Sequence, residues 1–70
     1  MRRKAVASSS LRSVGYDARR RVLEVEFEGG AVYRYEDVPE ARHAALLAAE
    51  SLGSYFNRFV RDRYPAVRVG

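Results

Sequence analysis

The sequence predicts an α+β domain: a three-stranded antiparallel β-meander packed against two helices, with residues 66–69 able to add a short C-terminal edge strand. Three observations predict it. Leu23, Val25 and Phe27 alternate strictly with Glu24, Glu26 and Glu28, the period-two pattern of a strand with one face in a core and the other in water. Gly29-Gly30 separates that run from Ala31–Glu36, which marks a hairpin. Beyond Pro39, two stretches carry their apolar residues on one side of a helix.

The elements follow in order. Residues 1–10 hold Arg2, Arg3 and Lys4 and then small and polar residues without apolar periodicity, so they read as a flexible basic arm, and residues 11–70 as a single domain. Leu11–Tyr16 is the first strand, and Asp17–Arg20 turns out of it. Arg21–Glu28 is the second strand and Ala31–Glu36 the third.

Two loops fit between them. A two-residue Gly29-Gly30 turn places Tyr33 and Tyr35 opposite Glu26 and Glu24 as an exposed aromatic pair. A three-residue Glu28-Gly29-Gly30 loop, with Gly30 left-handed, pairs Tyr33 with Val25 and Tyr35 with Leu23. The second is preferred, because it keeps Arg34 out of the core and sets it across from Glu24, a cross-strand pair contributing about 0.2–1 kcal/mol.

Asp37-Val38-Pro39-Glu40 starts a helix, with Asp37 as the cap, Pro39 in the first turn and Glu40 three residues after the cap; it runs to about Ala49. Its apolar stripe is thin: Ala45, Leu46 and Ala49, with Arg42 on the same side. Ser51 caps a second helix reaching Tyr64, with Tyr55, Phe56, Phe59, Val60 and Tyr64 on its apolar face and Asn57, Arg58 and Arg61 on the other. Arg63 falls in the middle of that stripe. Either the helix ends near Asp62, or the Arg63 stem lies along the core with its head in water. Pro65 stops the helix.

Composition narrows the function classes. Seventy residues suffice for one economical core, and three Phe with five Tyr are enough to fill it. The absence of cysteine excludes disulfides, thiolate metal sites and a cysteine nucleophile. Ala5-Val6-Ala7 gives way to three serines before any signal-peptide core forms, and no apolar run reaches membrane-spanning length, so the expectation is a cytoplasmic protein with no membrane partner. Thirteen basic against nine acidic residues give a net charge of +4. That excess suits a polyanionic partner, although twelve of the thirteen are Arg and an arginine-rich codon usage accounts for the count equally well.

The ordered set Val14-Gly15-Tyr16-Asp17, Leu23–Phe27, Gly30, Tyr33-Arg34-Tyr35, Val38-Pro39, Ala49–Gly53 and Tyr55-Phe56-Asn57, after a Ser-rich start, resembles the KTSC domain. The likeness runs from about residue 8 to residue 69. That family takes its name from a C-terminal appendage of some lysyl-tRNA synthetases and also occurs as small stand-alone bacterial proteins. The resemblance implies no defined activity, and its synthetase context suggests RNA as a partner. The chain departs from the family pattern at Arg42 and His43, where members tend to be apolar.

Each candidate site has a structural and a functional reading. Tyr33 and Tyr35 around Arg34 are able to stack bases, or to lie in the core with their hydroxyls at its rim; alternation favours the core. The acidic face of Glu24, Glu26 and Glu28 is expected to repel phosphates. Ser51 and Gly53 open a helix whose free N–H groups suit a phosphate, and capping explains the same serine. Arg58 and Arg61, the turn arginines Arg19, Arg20 and Arg21, and the basic arm form the expected polyanion track. His43 is the sole histidine, so no multi-histidine metal site is expected, nor any cofactor or catalytic constellation. The expected function is a non-catalytic binding module, an RNA-binding accessory domain of tRNA type. The alternative is a protein-interaction module, and a monomer is preferred over an edge-paired homodimer.

Overall fold

The computed structural model describes all 70 residues, in the order β1 (Lys4–Ala5), β2 (Leu11–Asp17), β3 (Val22–Phe27), β4 (Val32–Tyr35), α1 (Glu40–Ala48), α2 (Leu52–Phe59) and β5 (Ala66–Arg68). The strands make one antiparallel sheet in the order β1-β2-β3-β4-β5. The α+β class and the two helices are as the sequence indicates. The strand count is corrected from three to five: the C-terminal edge strand forms, and β1 adds a strand on the other edge.

The hairpin register follows the alternation. Leu23 faces Tyr35, Glu24 faces Arg34 and Val25 faces Tyr33. Phe27 N–H donates to Ala31 O at 2.8 Å and Gly30 N–H to Phe27 O at 2.9 Å, closing the three-residue loop. Gly29 and Gly30 have φ of 102° and 101°, a region where a Cβ is strained. With this register, Val14, Val25 and Tyr33 line up across the sheet, as do Tyr16, Leu23 and Tyr35. The helices cover this face with Leu46 and Phe56, and Val60 just after α2, Leu11 and Val38 complete a buried cluster. Phe56 packs edge-on against Phe27 and Tyr35, with ring centroids 5.3 and 5.2 Å apart.

Both helices differ from expectation at an end. Asp37 does not cap α1: it sits at φ 60°, Pro39 is the residue at the cap position, and no side chain bonds there. Burial of Val38 explains the shift, since its side chain fills the core and its N–H donates to Arg21 O at 2.9 Å, fixing the chain before the helix begins. The second helix stops at Phe59, not Tyr64. Val60 is fully buried, and Val60 and Arg61 N–H both donate to Phe56 O, at 3.0 and 2.9 Å. Continuing would drive Arg63 into the apolar stripe; the chain turns and delivers β5 to β4 instead.

The N-terminal residues do not lie free of the sheet. Lys4 and Ala5 pair with Val14 and Ser13, and residues 2–3 lie over Gly15, where a Cβ would come 2.7 Å from Arg2 O and 3.0 Å from Arg3 Cγ. Gly15 therefore makes room for the segment that forms the sheet edge.

Candidate nucleic-acid interface

The outer face of the sheet holds the strand carboxylates, but it is not an open acidic surface. Glu24 is buried, with its side chain 5% exposed, and accepts hydrogen bonds from Arg3 on one side and from Arg34 Nε at 2.8 Å on the other. Burial pushes its carboxyl up, yet the hydrogen bonds from Arg34 and Arg3 outweigh that and hold it below the usual carboxylate range. Arg3 Nε also donates to Ser13 Oγ at 2.9 Å, and Ser13 Oγ donates to Glu26 Oε1 at 2.8 Å. Arg12 reaches Glu26 at 3.7 Å and Glu28 at 3.2 Å. Three arginines thus neutralise three glutamates, which corrects the expectation of an acidic, wet face. The partners that do so are Arg3, brought over by the N-terminal segment, Arg34, and Arg12, the extra residue where the β2–β3 register shifts.

The Tyr33-Arg34-Tyr35 triplet is divided between the two faces. Tyr35 is buried, Tyr33 is half-buried against Phe27 at 5.7 Å, and Arg34 points the other way to Glu24. Burial raises the Tyr35 hydroxyl above its ordinary 10.0, with the nearby Arg61 charge acting in the opposite direction. Arg61 is exposed and lies with Tyr33 and Tyr35 around a cleft of about 410 Å³; its guanidinium also donates to Asn57 Oδ1 at 3.3 Å.

The turn arginines sit elsewhere. Asp17 Oδ1 accepts from the Arg19 and Arg20 N–H groups at 3.1 and 3.3 Å, and Arg21 takes φ 58°. Arg20 shares a cleft of about 300 Å³ with Arg34, Asp17 and Glu36, so its charge is offset there. Ser51 caps α2, its Oγ accepting from Ser54 N–H at 3.2 Å. Gly53 allows the serine-rich segment to approach, since a Cβ would lie 3.0 Å from Ser10 Oγ. Those residues surround a polar cleft of about 300 Å³ that also includes the Glu50 carboxylate.

The strongest arrangement lies on the helices, and only Arg58 of it was expected in a site. Because α2 ends at Phe59, that ring is half-exposed and the Arg42, Arg58 and Arg63 guanidinium carbons lie 5.4, 5.6 and 5.8 Å from its centroid. Tyr55 packs on Phe59 at 4.7 Å. Arg42, on α1, donates through Nη1 to Tyr55 Oη at 2.9 Å and through Nε to Tyr64 Oη at 3.2 Å. Those hydrogen bonds, Tyr64 first and Tyr55 second, raise its pKa further, so it stays fully charged. Each guanidinium meets the Phe59 ring in a cation–π contact, an attraction that needs no carboxylate counter-charge. None of Arg42, Arg58, Arg61 and Arg63 forms an ion pair; all five ion pairs involve Arg3, Arg12, Arg20 or Arg34. The signal was in the sequence: Arg42 and Arg63 are the two arginines that fall on otherwise apolar stripes.

His43, the other departure at α1, stacks on Tyr16 at 4.7 Å with planes 12° apart. Burial lowers its pKa from 6.5, partly countered by Glu40. No group of three or more His, Cys, Asp and Glu side chains converges as metal ligands, and no helix is long and apolar enough to cross a membrane.

Comparison with known proteins accords with this architecture. The family model for the KTSC domain matches residues 7–64. An uncharacterized protein of Stutzerimonas stutzeri is 53% identical over 64 residues, covering 91% of this chain and 90% of that protein. A lysine–tRNA ligase of Nostoc punctiforme is 32% identical over 56 residues, which cover 80% of this chain but 10% of the ligase. The crystal structure of a KTSC domain protein from Yersinia pestis superposes with a TM-score of 0.96 at 33% identity, covering 99% of this chain and 97% of that one.

Proposed function

The chain belongs to the KTSC domain family, and from that premise we propose that it is a small non-catalytic module that binds RNA of tRNA type through its helix-side arginines, as a cytoplasmic monomer. One observation carries the reading: the arginines of the outer sheet face are neutralised in place, whereas Arg42, Arg58, Arg61 and Arg63 form no ion pair, and three of them, Arg42, Arg58 and Arg63, gather around the half-exposed Phe59 ring. A cationic surface without internal counter-charges is what a phosphate backbone requires. Similarity to part of a lysine–tRNA ligase supports RNA over DNA as the polyanion.

A titration against tRNA tests it. With a few phosphates neutralised, log K should fall with log salt with a slope of roughly −2 to −4. Arg58→Ala/Arg61→Ala should weaken binding and flatten that slope, whereas Arg34→Ala should leave both unchanged because Arg34 serves Glu24. Loss of binding in Arg34→Ala alone would move the site to the sheet. A wild type that binds no RNA would favour the protein-interaction reading, for which Val67 and Val69, half-exposed on and beside the edge strand β5, are the supporting observation.

A further inference from the structure

Arg42 differs from the other unpaired arginines in being held at two points. Two of its five N–H donors go to the Tyr55 and Tyr64 hydroxyls, which fix the guanidinium plane but carry no charge to compensate it. The remaining donors are free for a ligand. Arg58 and Arg63 approach the same Phe59 ring, so three like charges gather there with no carboxylate paired to any of them. Such a cluster is complementary to an anion. It is a poor platform for bases, because guanidinium groups already occupy the surroundings of Phe59 and Tyr55 packs against it as well. Beside it runs a shallow cleft of about 250 Å³ lined by Pro39, Ala41, Ala45, Arg42 and Tyr55, which sets an apolar floor next to the guanidinium.

We infer that Arg42 anchors a phosphate site: its fixed fork takes the non-bridging oxygens of an RNA backbone phosphate, Arg58 and Arg63 supply the surrounding positive field, and the cleft receives the adjoining ribose. This deepens the RNA-binding reading and rests on it. The site contacts backbone and not base edges, so it positions RNA without selecting sequence.

The test separates geometry from charge. Arg42→Lys keeps the charge and loses the planar fork; Tyr55→Phe/Tyr64→Phe keeps both rings and frees the fork. Binding is measured by fluorescence titration with tRNA and with poly(A) and poly(U), alongside thermal melting to verify folding. Arg42→Lys should weaken tRNA binding about tenfold, the worth of one charge-assisted hydrogen bond, with an unchanged salt slope. The double tyrosine variant should lose several-fold, and wild type should hold poly(A) and poly(U) alike. A purely structural tie between the helices would lower the melting temperature and leave affinity untouched. If both variants bind tRNA as wild type does while Arg58→Ala/Arg61→Ala weakens it, the anchor is refuted and the RNA reading stands. If wild type binds no RNA but inorganic tripolyphosphate shifts the Arg42 Nε–H resonance, and Arg42→Lys abolishes that binding, the phosphate site stands and the RNA reading falls. If neither ligand affects Arg42, both are refuted.

Discussion

On the outer face of the sheet, Arg3, Arg12 and Arg34 meet Glu24, Glu26 and Glu28; on the helix side, Arg42 and Arg58, with Arg63 from the turn after α2, meet no carboxylate and rest against Phe59. One residue type is used in two ways. The first set holds a buried glutamate and a short edge strand in place, so its charge cancels and contributes little to any field beyond the surface. The second gathers three unpaired positive charges around one ring. Net charge alone could not distinguish them, because what differs is whether each guanidinium has a partner.

The largest effect should come from the core beneath the helix-side surface. Phe56 is 1% exposed and touches Phe27 and Tyr35, so Phe56→Ala should lower stability by about 3–5 kcal/mol in denaturant unfolding, which a domain this small scarcely survives. A loss under 1 kcal/mol would mean that α2 does not pack on the sheet as described.

Next is Glu24→Gln, which sharpens the contrast directly. It leaves Arg3 and Arg34 facing a neutral amide, and because both arginines are partly exposed the loss should be about 1–3 kcal/mol, with RNA affinity unchanged or slightly raised. Weakened RNA binding in a folded Glu24→Gln would show that the sheet face takes part in recognition. Gly15→Ala should act on the same assembly by displacing Arg2 and Arg3, and it should increase hydrogen exchange at Lys4 and Ala5.

How legible each side was follows from the range of its interactions. The β3–β4 register could be read because Leu23, Val25 and Phe27 alternate with glutamates over adjacent residues, and a slip would bury Arg34. Strand β1 could not, since nothing in Arg3-Lys4-Ala5 alternates and its position depends on the missing Cβ of Gly15 and on Glu24, 21 residues away. On the helix side, Arg42 and Arg63 were visible as breaks in apolar stripes. That both would meet at Phe59 depends on where α2 ends, which is decided by burial of Val60 and not by helical periodicity.

Acid titration should come next in size. His43 has a lowered pKa, so its folded-state preference for the neutral ring contributes fully above about 6.5 and is lost as pH falls below it. Glu24 also has a lowered pKa, so its contribution is present above its ordinary 4.5 and is lost as pH falls through the folded value. Both losses have the same sign, and stability should therefore decline in two steps on acidification. Glu24→Gln should remove the lower step and keep the upper one; His43→Phe, which preserves the stack on Tyr16, should do the reverse. A single step insensitive to both substitutions would place the acid sensitivity outside these two residues.

The smallest effect on stability should belong to the helix-side arginines themselves. Arg58 is exposed, forms no ion pair and touches Phe59 through a cation–π contact, so Arg58→Ala should cost no more than about 0.5–1 kcal/mol. Removing one of three clustered like charges also relieves repulsion, which acts against the lost contact and makes a net change near zero the expected result. A loss comparable to that of Glu24→Gln would mean that Arg58 is structurally committed in the way that Arg3 and Arg34 are, and the division between a neutralised face and a free one would no longer hold.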